Sequence, residues 1–467
     1  MRHAIARCCL VILILSTAGP GASAEAEPAA DVDALLKRLA QAEGAERRVA
    51  AEAILDRRMA AHEALFDGPA GTAEVRAELR RELRSQRDAE ARAKGLVVHE
   101  WGSVMMLADH DGAKLDYLAN DHFDVPPFVH RWESMQPFRP VAPQVIRKPI
   151  LYFYPPDDRK MQATVDVRVM KGMFTQWYPK PTRIEPMPGE NKRPEFGVGR
   201  TLWARFTIDP SAGEKLAEVD RDHPWWHVAR DVDASPVTVG EETEKFLFYR
   251  GMAKPRDAVK ITGDEAEGAY RLHNSGERPV HDIIVMRVNK AGGDYRLVRR
   301  LAPDEKAAID FNDPAESGAG WTRSDAALAR FGERLEAAGL YPKEAKGLTT
   351  IWGAFFFDRP GVRMLYVMPE AQADAMLPLV IDPRPSDVAR ALVVQVECQT
   401  EAMRKRIEGL IDKLADADFE VRQAAERQLR SLDRFAIALL RKAVAEHPDE
   451  EVRVRAGKVL DSIDEGE

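Results

Sequence analysis

The chain contains 467 residues, 45% of them hydrophobic and 31% charged, and its formal net charge is -8. This composition is typical of globular proteins, and the length allows roughly two to four domains. Because the charge balance is mildly acidic, it argues against a nucleic-acid partner and against binding to anionic lipid surfaces.

The first 24 residues carry the pattern of a secretory signal. Arg2 and Arg7 precede a short apolar run over residues 8–15, and Ala22-Ser23-Ala24 follows it. This order predicts a signal peptide over residues 1–24, cleaved after Ala24, with an uncleaved anchor as the alternative. No other long apolar run exists, so we expect an exported, periplasmic or extracellular protein with no membrane span after cleavage.

Residues 25–94 are predicted to form an N-terminal helical segment. Apolar residues recur there at helical spacing: Leu35, Leu36, Leu39, Val49, Ala53 and Ile54. Gly68-Pro69 interrupts this pattern. The second part, residues 72–93, alternates in charge, which is typical of a long solvated helix leading into the next domain.

Residues 95–400 are predicted to form a β-rich core. Short runs rich in β-branched and aromatic residues indicate strands: Ile150–Tyr154, Thr164–Val169, Leu202–Ile208, Lys245–Tyr249, Tyr270–Leu272, Ile283–Val288 and Tyr295–Leu301. Their density favours sandwich-like units. Residues 181–199 are predicted to form a long loop. Helix at residues 324–338 and 370–376, with strands at 363–368 and 391–398, indicates a smaller α/β part.

Residues 401–467 are predicted to be helical and to contain an internal repeat. The run Asp418 to Arg422 recurs as Asp449 to Arg453. The acidic residue is suited to cap a helix, and Val421 and Val452 are expected to be buried equivalents. The pattern resembles HEAT-like repeats. Two units are fewer than an independent solenoid needs, so we expect them to pack on the core or on the N-terminal helices, and to contact a protein or envelope partner.

Histidines and carboxylates are concentrated near the start of the core. The weak metal-ligand candidates are His99, Glu100, His110, His122 and His130, with Asp109, Asp111, Asp121 and Asp124 between them. Imidazole and carboxylate groups bind zinc and iron, but no recognised ligand spacing occurs. The favoured interpretation is structural. It places His99 against a carboxylate or backbone group, Glu100 on the opposite strand face, and residues 109–112 in a polar hairpin tip. No cofactor is expected, and a divalent metal is the alternative.

Three further residues are weak candidates for ligand binding. Trp225 and Trp226 lie in a polar context after a proline and are suited either to stack on sugar rings or to pack in a core. Arg250 follows an apolar strand and is suited to hold a carboxylate or phosphate, or to pair with a local acid such as Asp231 or Asp233. Cys398, the one cysteine left after signal removal, has strand spacing that predicts a buried, unreactive thiol.

Several motifs together resemble those of one bacterial family. They are GLVVHEWGSV at 95–104, PILYFY at 149–154, QWYP at 176–179, Ala229-Arg230-Asp231 with Asp233-Ala234, EKFLFYRG at 244–251, and GVRMLYVMP at 361–369 with Leu377-Pro378-Leu379. Over residues 95–398 the chain resembles an uncharacterised secreted family with a "HEWGT" motif, found mostly in planctomycetes and myxobacteria. The chain has Gly102-Ser103 where that family usually has Gly-Thr. No activity is assigned to the family, so the resemblance implies no catalytic residues.

Together these patterns predict an α+β fold, in which a β-rich core is flanked by N-terminal helices and a C-terminal HEAT-like region. No nucleophile elbow, phosphate loop or dinucleotide-binding motif occurs. The favoured function is that of an exported binding or assembly protein of the periplasm or cell envelope. The alternative is a metal-dependent hydrolase with a His/Asp/Glu site near His99.

Overall fold

The computed structural model describes residues 88–115, 117–118, 125–132, 141–142, 144–185, 197–253, 258–264, 268–289, 292–313 and 325–465. The predicted signal peptide, most of the predicted N-terminal helical segment and His122 lie outside these ranges. The chain divides into two compact units, Met1–Asp88 and Ala89–Glu467. The β-rich core and the C-terminal helices both belong to the second unit. Residues 88–94 are helical, as predicted.

Strands and helices follow one another in this order. The strands are β1 Val97–Asp109, β2 Lys114–Leu115, β3 Tyr117–Leu118, β4 His130–Arg131, β5 Val141–Ala142, β6 Gln144–Tyr154, β7 Met161–Met170, β8 Gly172–Tyr178, β9 Arg183–Glu185, β10 Val198–Ile208, β11 Val237–Val239, β12 Glu242–Glu244, β13 Leu247–Ala253, β14 Val259–Asp264, β15 Ala269–Asn274, β16 Val280–Asn289, β17 Gly292–Leu301, β18 Lys306–Asp310, β19 Gly361–Val367, β20 Leu379–Asp382 and β21 Asp387–Gln399. The α-helices are α1 Pro224–Arg230, α2 Asp325–Ala337, α3 Pro342–Gly353, α4 Glu370–Met376, α5 Glu401–Asp412, α6 Phe419–Leu432, α7 Arg434–Glu446 and α8 Glu450–Glu465.

A ten-stranded sheet forms the centre of the molecule. Its strand order is β17-β16-β19-β21-β1-β6-β13-β8-β4, and β2 pairs with the end of β1. β1 and β21 are parallel, and the other pairs are antiparallel. β1 and β21 are apolar over most of their length, which is typical of strands that are covered on both faces. The predicted α/β part is therefore not separate, because its strands β19 and β21 lie inside this sheet.

The two faces of the sheet are covered differently. In β1, Val98 and Val104 face a core shared with two smaller antiparallel sheets, β12-β11-β10-β7-β20 with β9, and β14-β15-β18. Val97 and Trp101 face a second core, shared with helices α1 to α3. Alternate side chains of a strand point to opposite faces, so one long strand contributes to both cores. The observed fold is α+β and rich in strands, as predicted.

Gly102 marks an irregularity in β1. The register with β6 shifts between Trp101 and Ser103. A Cβ atom at Gly102 would lie 2.7 Å from Cα of Pro149, closer than backbone and side chain can approach. Glycine is therefore required here by the close approach of β6, which explains the Trp-Gly pair after His99-Glu100.

The four C-terminal helices form two pairs with the same capping geometry. Asp418 accepts a hydrogen bond from the backbone N–H of Glu420, and Asp449 accepts one from Glu451, each at 2.8 Å. The repeated arginines also act alike. Arg422 donates to the carbonyl oxygens of residues 416 and 417, and Arg453 donates to those of residues 447 and 448. The cap and arginine contacts are thus alike at the two positions of the 31-residue repeat.

The two repeated valines are not equally buried. Val452 is 1% exposed, as predicted, but Val421 is only partly buried. α8 packs along α7 more extensively than α6 packs on α5, so the first unit covers its valine less well. The prediction that both valines are fully buried is therefore wrong for Val421.

The C-terminal helices pack on the core, as predicted for this end of the chain. Phe435 of α7 packs on Leu107 of β1. Its carbonyl oxygen accepts a hydrogen bond of 2.6 Å from Nε2 of Gln399, and the neighbouring Arg434 pairs with Glu397. Among the described helices, none is long and apolar enough to cross a membrane.

The predicted loop at residues 181–199 is partly extended. It contains β9, which pairs with β10, and β10 itself begins at Val198. Prolines and glycines often mark the ends of strands and helices. They do not prevent a short strand from pairing at the edge of a sheet. Residues 186–196 of this loop lie outside the described ranges.

Candidate functional site

His99 is bonded to a buried carboxylate. Its Nδ1 lies 2.7 Å from Oε2 of Glu344, and the two side chains are 2% and 0% exposed. The other oxygen of Glu344 accepts a hydrogen bond of 2.9 Å from the hydroxyl of Tyr154, and the backbone N–H of Tyr341 donates to Oε2. Trp101 lies on the same face of β1. This arrangement matches the structural interpretation of His99.

Glu100 lies on the opposite face of β1. Its carboxylate accepts hydrogen bonds from the hydroxyl of Tyr249 and from Nε of Arg390, the latter at 2.7 Å. Burial and the nearby Glu100 raise the pKa of Tyr249 well above its usual value. Arg390 extends this network to Asp374 and to the carbonyl of Leu377. Because His99 and Glu100 face different cores, they are not placed to bind one ion together.

The other described metal-ligand candidates do not join His99 in one group. His110 lies at a hairpin tip, where Asp109 accepts hydrogen bonds from the backbone N–H groups of residues 111 and 113, and Gly112 has φ +77°. Ligand atoms of Asp109, His110 and Asp111 lie within 4.8 Å of one another. His130 instead pairs with Glu242 at 2.6 Å. Among the described candidates, no shared centre forms around His99.

The tryptophan pair lies in an aromatic core at the start of α1. Trp225 is 8% exposed and Trp226 is fully buried, with Trp226 packed on Phe246 and Phe248. The indole N–H of Trp226 donates to Glu244 at 2.8 Å. Neither ring offers an open face to a sugar, so the structure favours packing over ligand stacking.

Arg250 is buried in β13. Its guanidinium donates to Oε1 of Gln176 at 2.6 Å and lies over the ring of Phe248. The predicted alternative partner Asp233 lies instead 2.5 Å from Nζ of Lys343. Arg250 is therefore a buried residue of the main sheet. Together with its partner Gln176 it belongs to a larger group of buried polar side chains.

A line of polar side chains crosses the helix-facing side of the main sheet. We call it the polar stripe, and its members are Gln176, Arg250, Arg147, Ser103, Gln395, Glu397 and Arg363. Each is less than 9% exposed. They lie on the adjacent strands β8, β13, β6, β1, β21 and β19. Alternation along each strand, and the apolar residues of the second core beside them, place these side chains on one face.

The register shows how the stripe is connected. Ser103 lies opposite Arg147, and Arg363 lies opposite Glu397, with Nη2 of Arg363 3.9 Å from Oε1 of Glu397. Arg147 lies over the ring of Phe355, and Arg363 donates to the carbonyl oxygen of residue 356 at 2.8 Å. The segment after α3 therefore covers this part of the stripe.

Glu397 is held ionised within the stripe. Burial opposes its charge, but Arg434, Arg363 and Arg359 together lower the pKa of its carboxyl group. Arg434 makes two hydrogen bonds to this carboxylate. Burial in turn lowers the pKa of the Arg363 guanidinium. The stripe therefore contains charged groups held in a region of low exposure.

Gln395, Arg363 and Gln176 each have a buried polar atom with no hydrogen-bond partner within the described ranges. Gln395 is fully buried, and neither its Oε1 nor its Nε2 has a hydrogen-bond partner within the described ranges. Nε of Arg363 likewise has none there. By contrast, Gln399, four residues further along the same strand and face, is bonded to α7. Buried polar groups are usually satisfied, so unpaired atoms at Gln395 call for an explanation.

Sequence reasoning missed the stripe, apart from Arg250. A signal was present in β21, where Gln395 and Glu397 alternate with Val394, Val396 and Cys398 in an otherwise apolar strand. Such alternation usually indicates a solvent-facing side, so the pattern alone does not reveal a buried polar face. Cys398 points to the other core, where burial raises the pKa of its thiol to about 12, as expected for an unreactive cysteine.

The chain matches no family model and no curated protein. One solved structure that it resembles is the yeast delta-COP-I mu-homology domain complexed with a Dsl1 WxWxV peptide, at 7% identity and a TM-score of 0.24, covering 65% of this chain and 96% of that chain. Another is the yeast delta-COP-I mu-homology domain, at 8% identity and a TM-score of 0.22, covering 65% and 95%. These scores are too low to transfer a fold, partner or activity.

Proposed function

We propose that this chain is an exported binding or assembly protein of the periplasm or cell envelope. The expected signal peptide supports export. The paired C-terminal helices support binding, because HEAT-like helix pairs stack to give extended surfaces that contact partners. The helices share one hydrophobic core, and Phe435 of α7 contacts Leu107 of the sheet.

The observation that carries the proposal is the position of exposed apolar side chains. Six large ones occur within the described ranges: Met170, Val198, Val380, Phe419, Val444 and Val454. Half of them lie on α6 to α8, which form a small part of the chain. Phe419 is 56% exposed and Val454 is 48% exposed. Exposed apolar side chains are typical of contact surfaces where they form one patch.

The hydrolase alternative has less support. Its central residues, His99 and Glu100, each have a partner and lie on opposite faces of β1. An enzyme site needs several reactive groups that converge in one cleft. Within the described residues the predicted ligands do not converge in this way.

Site-specific photocrosslinking tests the binding proposal. A photoreactive amino acid is placed at Phe419 or Val454 of the full chain, expressed in a bacterium that exports it. Matched control positions are Val198 and Val380, which are 51% and 59% exposed but lie on the core. We expect one discrete envelope partner to be crosslinked from the helical positions and not from the core positions. Equal crosslinking from all four positions would count against a helical binding surface.

A further inference from the structure

A small apolar patch lies on the outer face of α8. This helix buries its inner side in the core of the C-terminal helices, through Val452, Ala456, Val459 and Ile463. Val454 lies on the opposite side and is 48% exposed. In surface helices that side is normally polar. A single exposed valine is ordinary, so the neighbours of Val454 decide whether it belongs to a contact surface.

Val454 has two neighbours that extend the patch. Gly457 lies about one helical turn further along the same side of α8. A Cβ atom added to Gly457 would lie 4.0 Å from Cγ2 of Val444 on α7. Val444 is itself 37% exposed. The three residues therefore adjoin one another on the surface that α7 and α8 share.

Gly457 is the most unusual member of the patch. Glycine inside a helix is less favourable than alanine by roughly 1 kcal/mol. An added Cβ atom would meet nothing closer than 4.0 Å in the described part of the chain, and the φ of Gly457 is not in the left-handed region. Packing and backbone geometry within the chain therefore do not require glycine here. A glycine on an exposed helix face does allow a second helix to approach closely.

The charges beside the patch indicate which helix could approach. Glu450 and Lys458 are both exposed, and they lie four residues before and four residues after Val454. About 12 Å of helix axis separates the two, so they do not pair with each other. By contrast, Glu451 and Arg455 form an ion pair within α8 at 2.6 Å. In chain order the outer face thus has an acid, a valine and a base.

This order is complementary to its own reverse. If two copies of α8 cross in antiparallel orientation at Val454, Glu450 of each copy lies opposite Lys458 of the other. In a parallel arrangement, identical charges would face each other instead. We propose that the outer face of α8 is the interface of a two-fold symmetric dimer of this chain. This inference rests on the proposed function and narrows it, because it names a second copy as the partner at Val454. Phe419, on α6, lies outside this face.

Sedimentation velocity of the full chain over a range of concentrations measures the dimer. The patch is small, so we expect a reversible dimer with a dissociation constant on the order of 10 µM. Gly457→Ala should raise the melting temperature of the dilute monomer and weaken dimerisation by about tenfold. Gly409→Ala is the matched control, because an added Cβ atom within α5 would also meet nothing within 4 Å in the described chain. It should raise the melting temperature and leave dimerisation unchanged.

Charge reversal tests the antiparallel arrangement. Glu450→Lys alone, or Lys458→Glu alone, places like charges opposite each other at both ends of the interface, and each should weaken dimerisation by about tenfold. The double variant Glu450→Lys/Lys458→Glu restores both pairs and should dimerise within about threefold of the parent. An equimolar mixture of the two single variants should form a heterodimer, because an acid again faces a base at each end.

Several results would overturn the proposal. A chain that stays monomeric into the high micromolar range has no such interface. Single variants, or Gly457→Ala, that dimerise like the parent would place the interface elsewhere, and a double variant as weak as the single ones would exclude the antiparallel pairing. Crosslinking from Val454 to a different protein alone would contradict the dimer but support the proposed function. Equal crosslinking from helical and core positions would instead contradict the proposed function, so the two failures are distinguishable.

Discussion

Nδ1 of His99 lies 2.7 Å from Oε2 of Glu344, although the two residues are 245 positions apart in the chain. This contact joins the first strand of the core to α3 on its helical face. Both side chains are almost completely buried, and Tyr154 and Tyr341 contribute further hydrogen bonds to the same carboxylate. The most distinctive motif of the sequence thus serves to fix a helix onto the sheet.

Replacing His99 should therefore weaken folding. His99→Asn shortens the side chain and leaves Glu344 buried with one partner fewer. We expect the free energy of unfolding to fall by about 2–4 kcal/mol, as for breaking a buried charged hydrogen bond. Urea denaturation measures the change. His110→Asn, at the hairpin tip, is the control and should stay within about 0.5 kcal/mol of the parent.

Metal content gives a separate test of His99. The structural interpretation predicts that the purified protein carries no stoichiometric zinc or iron and that His99→Asn leaves its metal content unchanged. Elemental analysis of parent and variant measures both. About one metal ion per chain, lost in a variant that remains folded, would contradict the interpretation and favour the hydrolase.

Because several tyrosines are buried, we expect the free energy of unfolding to fall at alkaline pH. Burial, with the nearby Glu344, raises the pKa of Tyr152 and Tyr154 well above the usual value, and burial with Glu100 does the same for Tyr249. The pKa of Tyr178 is raised to about 12. Tyrosines in the unfolded chain lose their protons near pH 10, while these keep theirs. The free energy of unfolding therefore falls as the pH rises above about 10. Below that pH the stabilisation from these neutral phenols is fully retained.

Ultraviolet absorbance of tyrosinate, recorded together with urea denaturation, measures this effect. Folded protein should show these four phenols still protonated at pH 10, and the free energy of unfolding should fall from there upward. Tyr249→Phe should make the fall shallower, because one proton fewer is released on unfolding. A folded protein that titrates all its tyrosines near pH 10 would contradict the burial of these phenols.

Local patterns predicted much of the fold. The strand that contains residues 150–154, the helix at 370–376 and the strand at 391–398 occur where apolar periodicity places them. The alternation in β1 also separates His99 from Glu100 as expected. These features depend on neighbours within a few residues, so the sequence contains the information directly.

The polar stripe and the sheet order could not be predicted in this way. The parallel pairing of β1 with β21 joins residues nearly 300 positions apart, and no local pattern specifies it. Partners such as Glu344 for His99 or Arg390 for Glu100 depend on that pairing. Gln395 appears as an ordinary polar position until neighbouring elements are known to cover it. The positions of these partners follow from the pairing of strands that are distant in the chain, and no local sequence motif specifies them.

Signal cleavage remains a prediction, because residues 1–24 lie outside the described ranges. The small residues Ala22 and Ala24 flank Ser23 after a short apolar run, so export should remove the chain up to Ala24. Mass spectrometry of exported protein should find Glu25 as the first residue. Retention of Met1 or Arg2 in the exported form would support an uncleaved anchor instead.

The C-terminal repeat can be tested by changing its two valines. Val452→Asp places a charge in the core shared by the C-terminal helices, at a side chain that is 1% exposed. We expect the free energy of unfolding to fall by about 3–5 kcal/mol. Val421 is only partly buried, so its carboxylate retains contact with water, and Val421→Asp should cost less than half as much. Urea denaturation of the full chain measures both variants. Equal losses would mean that the two helix pairs are equally packed, contrary to the different burial of their valines.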